Sequence, residues 1–147
     1  MTIYLSRELL AEIQAHGEQA YPEEGAGLLL GRVDGEQRRV LQIISLPNTR
    51  EDGARQRRYL ISPADYIAAE EAAIQAGLDV LGVFHSHPDH PEHPSEYDRE
   101  WALPWFSYLI TSVHQGRAWR TRSWRLSEDR SEFLEEAVET ISVPVKE

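Results

Sequence analysis

Cysteine is absent from the 147 residues. That excludes disulfides and every thiolate chemistry, including the cysteine-liganded zinc deaminase signature. Any transition metal must therefore be held by histidine and carboxylate. Lysine is nearly absent too: fourteen of the fifteen basic residues are arginine, clustered at Arg50–Arg58 and Arg117–Arg125. These clusters read most simply as solvated loop or strand faces, with a docking surface for an acidic protein partner as the other reading. No apolar run approaches the length of a membrane span, so no membrane association is expected. The opening residues, Met1 to Glu8, lack a basic segment followed by an apolar core, so no secretory signal is expected and a cytoplasmic location follows by default. A net charge of −10 argues against nucleic acid, whose phosphates call for a basic surface.

What is present suits one soluble globular domain spanning 1–147, with 41% hydrophobic and 27% charged residues. A chain of this length buries a core without staples. Ser6 to about Tyr21 reads as a helix with Ser6 as N-cap, ended by Pro22. Ala26–Val33 suits a buried strand, and the Asp34-Gly35 turn returns the chain into a second strand over about Gln37–Leu46. Pro47–Gln56 is polar and turn-rich and reads as a mobile loop, and Arg58–Ile61 as a brief strand. Ser62-Pro63-Ala64-Asp65 announces a helix, with serine as cap and proline at its first position; it runs to Ala76 and stops at Gly77.

Leu78–His85 reads as a strand, His87–Pro94 as irregular, and Ser95–Ala102 as a short helix. Phe106–Val113 and Arg117–Leu126 form a strand pair around His114-Gln115-Gly116. Beyond Ser127 the pattern is ambiguous, helix-compatible over Glu128–Glu135 and strand-like over Val138–Val145. Helices interspersed with hairpin-linked and crossover-linked strands predict an α/β fold with a mixed sheet flanked by helices.

The chemistry lies in His85-Ser86-His87, followed after seven residues by Ser95 and then Asp98. Histidines at i and i+2 on an extended segment point to the same side and can share one metal ion. A carboxylate from the next element adds a third ligand. Three protein ligands and a water are the arrangement of a catalytic zinc site. Hydrolysis at such a centre also needs a general base that is not itself a ligand.

Together with Pro22-Glu23-Glu24-Gly25-Ala26-Gly27-Leu28-Leu29-Leu30-Gly31, this spacing resembles the JAMM (MPN+) metalloprotease family, whose upstream signature is similar to P-x-E-x-x-G-L-L-x-G. The likeness extends through Asn48, Arg58-Tyr59, Ser62-Pro63 and the Phe106–Val113 strand, and it is nearest to the short stand-alone prokaryotic members. It implies a cytidine-deaminase-like fold and one zinc ion held by His85, His87 and Asp98. It also implies Glu24 as general acid/base and Ser95 as a hydroxyl donor to the oxyanion. By register it selects Glu24 over Glu23, which would leave the strand on the opposite face.

The activity so implied is a peptidase or isopeptidase acting on the C-terminal tail of a ubiquitin-like or β-grasp sulfur-carrier protein. That tail is expected to lie along a strand edge beside the metal, with part of Pro47–Gln56 ordering over it. A catalytically silent MPN scaffold would lack part of the ligand set. A DNA-associated relative of the RadC type would carry Asn in place of Ser86.

Plain readings compete for the same side chains. Ser95-Glu96-Tyr97-Asp98 is a capping box by itself, and an Asp98 engaged in capping is expected to ligate poorly. His90 and His93 are read as exposed loop residues, and His16 and His114 as surface residues. Trp101, Trp105, Trp119 and Trp124 are read as core or half-buried packing, with Trp101 or Trp105 also a candidate wall of the substrate groove.

Overall fold

The sheet that positions the histidines closes on itself. In the computed structural model, which describes residues 1–49, 59 and 61–141, the elements are β1 (Thr2–Ser6), α1 (Arg7–Ala20), β2 (Ala26–Asp34), β3 (Gln37–Leu46), α2 (Pro63–Gln75), β4 (Asp79–Pro88), α3 (Glu96–Trp101), β5 (Ser107–His114), β6 (Arg117–Leu126) and β7 (Phe133–Ile141). The seven strands form a closed barrel in the order β1-β3-β2-β4-β5-β6-β7.

A flanked mixed sheet is therefore only part of the architecture. Closure comes from β1, which pairs in parallel with β3 on one side and β7 on the other. Five residues give too short a hydrophobic alternation to signal a strand unaided. Beyond Ser127, Phe133–Ile141 is strand, not helix, because pairing with β1 and β6 supplies its hydrogen bonds; the rest of the strand-like Val138–Val145 stretch lies outside the described residues. Of the expected Arg58–Ile61 strand, Arg58 and Leu60 lie outside the described residues, and Tyr59 and Ile61 belong to no strand; most of Pro47–Gln56 and the Arg50–Arg58 cluster also lie outside the described residues.

Helix ends follow their local chemistry. The Ser6 hydroxyl accepts from Leu9 N–H and the Ser62 hydroxyl from Asp65 N–H, each meeting an orphan donor of the first turn. Gly77, at φ +73°, supplies the left-handed residue that stops α2. No helix among the described residues is long and apolar enough to cross a membrane.

Two cores lie on the two faces of the sheet. Ile3, Leu5, Ile13, Leu29, Phe84 and Leu109 pack with α1, while Leu28, Leu30, Ala69, Ala73, Val83 and Tyr108 pack with α2. β4 is buried on both faces. Strand alternation sends Val83, His85 and His87 to the α2 side and Phe84 and Ser86 to the α1 side. The parallel pairing of β4 with β5 requires a crossover, and α3 lies within it.

Near the start of β4, away from the histidines, a buried polar cluster joins five strands. Arg38 Nη1 donates to the Leu81 carbonyl at 3.0 Å and to Ser107 Oγ at 3.1 Å. Ser107 and Ser123 hydroxyls donate to Glu136 Oε1, each at 2.8 Å, and Arg125 Nε donates to Glu136 Oε2 at 3.0 Å. Burial lowers the Arg38 pKa to about 10, with the Arg125 charge adding to the effect and Glu136 opposing it. Glu136 is fully buried and, among the described residues, is the only carboxylate in this cluster of hydrogen bonds. Glu136→Ala, which strands the guanidinium groups, is expected to cost about 3 kcal/mol of stability. A shift of the urea midpoint at unchanged slope measures it, and a midpoint within error of wild type refutes it.

Candidate metal centre

The site stands at the carboxyl end of β4. His85 and His87 are both buried, on one side of the strand, with ring centroids 5.1 Å apart. Two carboxylates approach the pair from different elements. Glu24 comes from the segment leading into β2, which runs antiparallel to β4 with Ala26 opposite His85. Asp98 comes from the first turn of α3. Its Oδ2 lies 3.2 Å from His87 Nε2, and its Oδ1 lies 3.9 Å from His85 Nε2. Glu24 Oε1 lies 3.6 Å from His85 Nδ1. The last two separations are too long for hydrogen bonds.

Ser95 caps α3 as expected, but capping and facing the histidines do not exclude each other. The Ser95 hydroxyl accepts from Asp98 N–H at 3.0 Å, and Asp98 Oδ2 accepts from Ser95 N–H at 2.8 Å. A carboxylate offers about four lone-pair positions. One oxygen therefore serves the cap and His87 together, while the other turns toward His85. The cap aims the carboxylate.

The donor set fits a cation. Among the described residues, four buried side-chain polar atoms have no hydrogen-bond partner, and three of them belong to this site: Glu24 Oε1, His85 Nδ1 and His85 Nε2. Buried polar atoms are otherwise almost always satisfied. His87 makes the same point. Its Nδ1 lies 2.8 Å from the Pro91 carbonyl, an acceptor, and so carries the proton. A neutral ring then presents its Nε2 lone pair to Asp98, a repulsive pairing unless a proton or a metal lies between them. Glu24, His85 and His87 also offer ligand atoms within 4.8 Å of one another.

Charge is tuned accordingly. Burial opposes charging His87, but the Asp98 hydrogen bond, the Glu24 and Asp98 charges and the Pro91 carbonyl outweigh it and raise its pKa above the ordinary histidine value. Burial also raises Asp98, but the attraction of His85 and the hydrogen bonds from His87 and Ser95 hold its carboxyl well below the usual range.

The surroundings correct several expectations. β4 pairs with β5 through Pro88 but with β2 only as far as His85, so an added strand finds an edge only along the last residues of β4. Two cavities flank the site instead. One, of 280 Å³, is lined by Tyr59, Tyr66, Tyr97, Trp101 and Phe106 with Asp98 in its wall. The other, of 460 Å³, is lined by Glu24, His87, His90, Pro91, His93 and Ser95. Trp101 does line a cavity, yet Trp101, Trp105 and Trp119 are exposed; of the four tryptophans only Trp124 is core.

His90 and His93 are exposed as expected. Their loop is nevertheless anchored, because buried Glu92 accepts from Arg122 Nε at 3.1 Å and its carbonyl accepts from Trp124 Nε1 at 3.0 Å. With Arg125 on Glu136, these pairs neutralise part of the Arg117–Arg125 cluster. His114 is exposed, but His16 is half-buried rather than a surface residue. The Pro91 carbonyl carries no signal in the motif spacing, and Tyr59, whose ring is tilted 31° to that of His85 at 4.6 Å, lies within the Arg58-Tyr59 stretch of the likeness, which assigns it no role.

A buried imidazole pair on a closed mixed barrel, faced by one carboxylate and flanked by another, makes a centre with the donors to hold a metal ion. Residues 6–127 match the family described as prokaryotic homologs of the JAB domain, and the chain belongs to that family. It is 35% identical over 116 residues to the probable TtuB-protein conjugate cleaving protease of Thermus thermophilus, covering 77% of this chain and 74% of that protein. It is 35% identical over 92 residues to the desampylase of Haloferax volcanii, covering 62% of this chain and 63% of that protein.

Among solved structures, a Salinibacter ruber protein is 43% identical with a TM-score of 0.75, covering 96% of this chain and 93% of that one. A Desulfitobacterium hafniense protein is 31% identical with a TM-score of 0.84, covering 96% and 94%. A JAB1/MPN domain protein from Archaeoglobus fulgidus, 22% identical with a TM-score of 0.56 and covering 95% and 99%, shows the fold alone.

The His87–Asp98 pair gives the metal-free protein a defined pH response. The folded pKa of His87 is raised, so its contribution is complete below about pH 6.5 and is lost as pH rises through the folded value. The folded pKa of Asp98 is depressed, so its contribution is present above about pH 4, the unfolded value, and is lost as pH falls from there through the lower folded value. Chelator-treated protein is therefore expected to lose stability as pH rises from about 6, and Asp98→Asn to flatten that loss. Urea midpoints measured across pH test this; an equal loss in Asp98→Asn refutes it.

Proposed function

We propose that this protein is a zinc-dependent isopeptidase of the JAMM type that hydrolyses a peptide or isopeptide bond at the C-terminal tail of a ubiquitin-like or sulfur-carrier protein. The observation that carries the reading is the division of labour between the two carboxylates. Asp98 faces the Nε2 atoms of both histidines, which supports His85, His87 and Asp98 as the ligands. Glu24 meets His85 on its Nδ1 side and lines the adjoining cavity, which supports a role in proton transfer. A zinc ion, when bound, supplies a Lewis acid that acidifies a water and polarises the scissile carbonyl.

The chain's own residues do the rest. Glu24 takes a proton from the attacking water as the water oxygen adds to the carbonyl carbon. Negative charge gathers on the carbonyl oxygen, where Ser95 donates its hydroxyl hydrogen. The hydrogen bond from Asp98 N–H uses a lone pair of the Ser95 hydroxyl and leaves that hydrogen to donate. Glu24 then returns its proton to the nitrogen as the C–N bond breaks. Burial of both histidines and of Glu24 strengthens each of these electrostatic contacts over its value in water. The substrate class is supported by the family and by the names of the T. thermophilus and H. volcanii relatives. With β4 paired to β2 only as far as His85, the two flanking cavities supply room for the chain on either side of the scissile bond.

Elemental analysis and mass-spectrometric cleavage of a ubiquitin-like protein bearing a C-terminal extension test the proposal together. Wild type and Glu24→Gln are expected to hold about one zinc per chain, and Asp98→Ala much less. Cleavage is expected to fall by at least about a hundredfold in both variants, and to be abolished in wild type by a chelator and restored by zinc. A zinc-free yet fully active wild type, or an undiminished Glu24→Gln, overturns it.

A further inference from the structure

We infer that Ser86 and Asn48 are positioning residues for Glu24, acting by pinning the two ends of the peptide unit that joins Glu24 to Gly25. The inference rests on Glu24 as the proton carrier proposed above. The carbonyl of Glu24 accepts from Asn48 Nδ2 at 3.0 Å, and the N–H of Gly25 donates to Ser86 Oγ at 2.8 Å. These are the two polar ends of one planar group. The next carbonyl, that of Gly25, accepts from Ser86 N–H at 3.1 Å.

The need for such pins follows from Gly25 itself. A Cβ there would lie 2.9 Å from the His16 ring and 3.0 Å from Ala20 Cβ, so close packing against α1 favours glycine. Glycine is also the residue most permissive of backbone rotation. Left unpinned, ψ of Glu24 and φ of Gly25 can change independently, and Glu24 can shift relative to β4 and carry its side chain with it. Removing that freedom keeps the carboxylate beside the histidines.

Ser86 suits the task because of its place in the strand. It is the middle residue of His-Ser-His, so alternation turns it away from the histidines and toward α1. It is 3% exposed there, packed so tightly that a Cβ on Gly17 would stand 3.1 Å from its own Cβ. One strand segment thus presents two histidines on one face and the anchor for Glu24 on the other. Asn48 reaches the same peptide from just beyond β3, whose Leu46 pairs with Ala26.

The test uses the full chain as Ser86→Ala, Asn48→Ala and the double variant, with Glu24→Gln as reference. Zinc content is expected to stay near that of wild type and KM to stay within about twofold. kcat is expected to fall roughly 10- to 100-fold, because small misplacements of a reacting group cost about that much. The double variant is expected to lose less than the product of the single losses, since both act on one peptide. Independently of activity, hydrogen exchange of the Gly25 amide in metal-free protein is expected to accelerate about tenfold or more in Ser86→Ala, with other β4 and β2 amides unchanged.

If Ser86→Ala does not fold, Asn48→Ala, at a half-buried loop position, carries the kinetic test alone. Unchanged kcat in both single variants, or loss of zinc in step with loss of activity, overturns the inference. If Glu24→Gln itself cleaves normally, it is the reading of Glu24 that falls. If Glu24→Gln is inactive while the positioning variants are not, only the present inference falls.

Discussion

Parallel pairing between β4 and β5 obliges the chain to leave the carboxyl end of one strand and return to the start of the next. The site is a consequence of where that return passes. The crossover leaves over the histidines, is held by Glu92 and Trp124, and sets the first turn of α3 against the strand end. The orphan N–H groups of that turn need acceptors, and Ser95 and Asp98 supply them reciprocally. The need to cap a short helix and the need to aim a carboxylate at two imidazoles are met by one arrangement. Its helix is too short to be stable by itself, so the cap and the histidines support each other.

The same economy appears on the other side of β4. β2 must pair antiparallel with β4 to complete the sheet, and that pairing carries Glu24 to the histidines. Both faces of β4 are therefore committed. One row holds Val83, His85 and His87 against the α2 side, and the other holds Phe84 and Ser86 against α1. A polar row can be buried on each face only because partners for it arrive from adjacent elements. The buried charges at the opposite end of the barrel obey the same condition. Glu136 is tolerated at full burial because two serines and Arg125 surround it, and Arg38 reaches it through Ser107.

Much of this was legible before any fold was known. Caps at Ser6 and Ser62, the stop at Gly77, the β2–β3 and β5–β6 hairpins and the spacing from His85 to Asp98 are local patterns with local causes. Glu24 could be singled out because its neighbours Gly27, Leu28, Leu29 and Gly31 match a family signature, not because anything near it in sequence speaks of metal. Barrel closure was not legible, since β1 is a strand by virtue of partners more than thirty residues away. Nor was the exposure of Trp101, Trp105 and Trp119. An aromatic residue is apolar in any sequence window, and only the packed fold shows which faces lack a covering element. The coexistence of capping and facing the histidines at Asp98 is hidden from sequence for another reason: the two uses engage different lone pairs, a matter of orientation rather than composition.

The sequence by itself determined which groups are available. With no cysteine, only imidazole and carboxylate can hold a metal, and strand periodicity sends His85 and His87 to one side and Ser86 to the other. Tertiary structure alone decided which carboxylate meets which nitrogen, that His87 donates its Nδ1–H to the Pro91 carbonyl, and that Ser86 and Asn48 grip the peptide behind Glu24. The physical reason is range. Periodicity and capping act over a few residues, whereas burial of three unsatisfied polar atoms in one place requires elements from Glu24 to Asp98 to be brought together by the sheet.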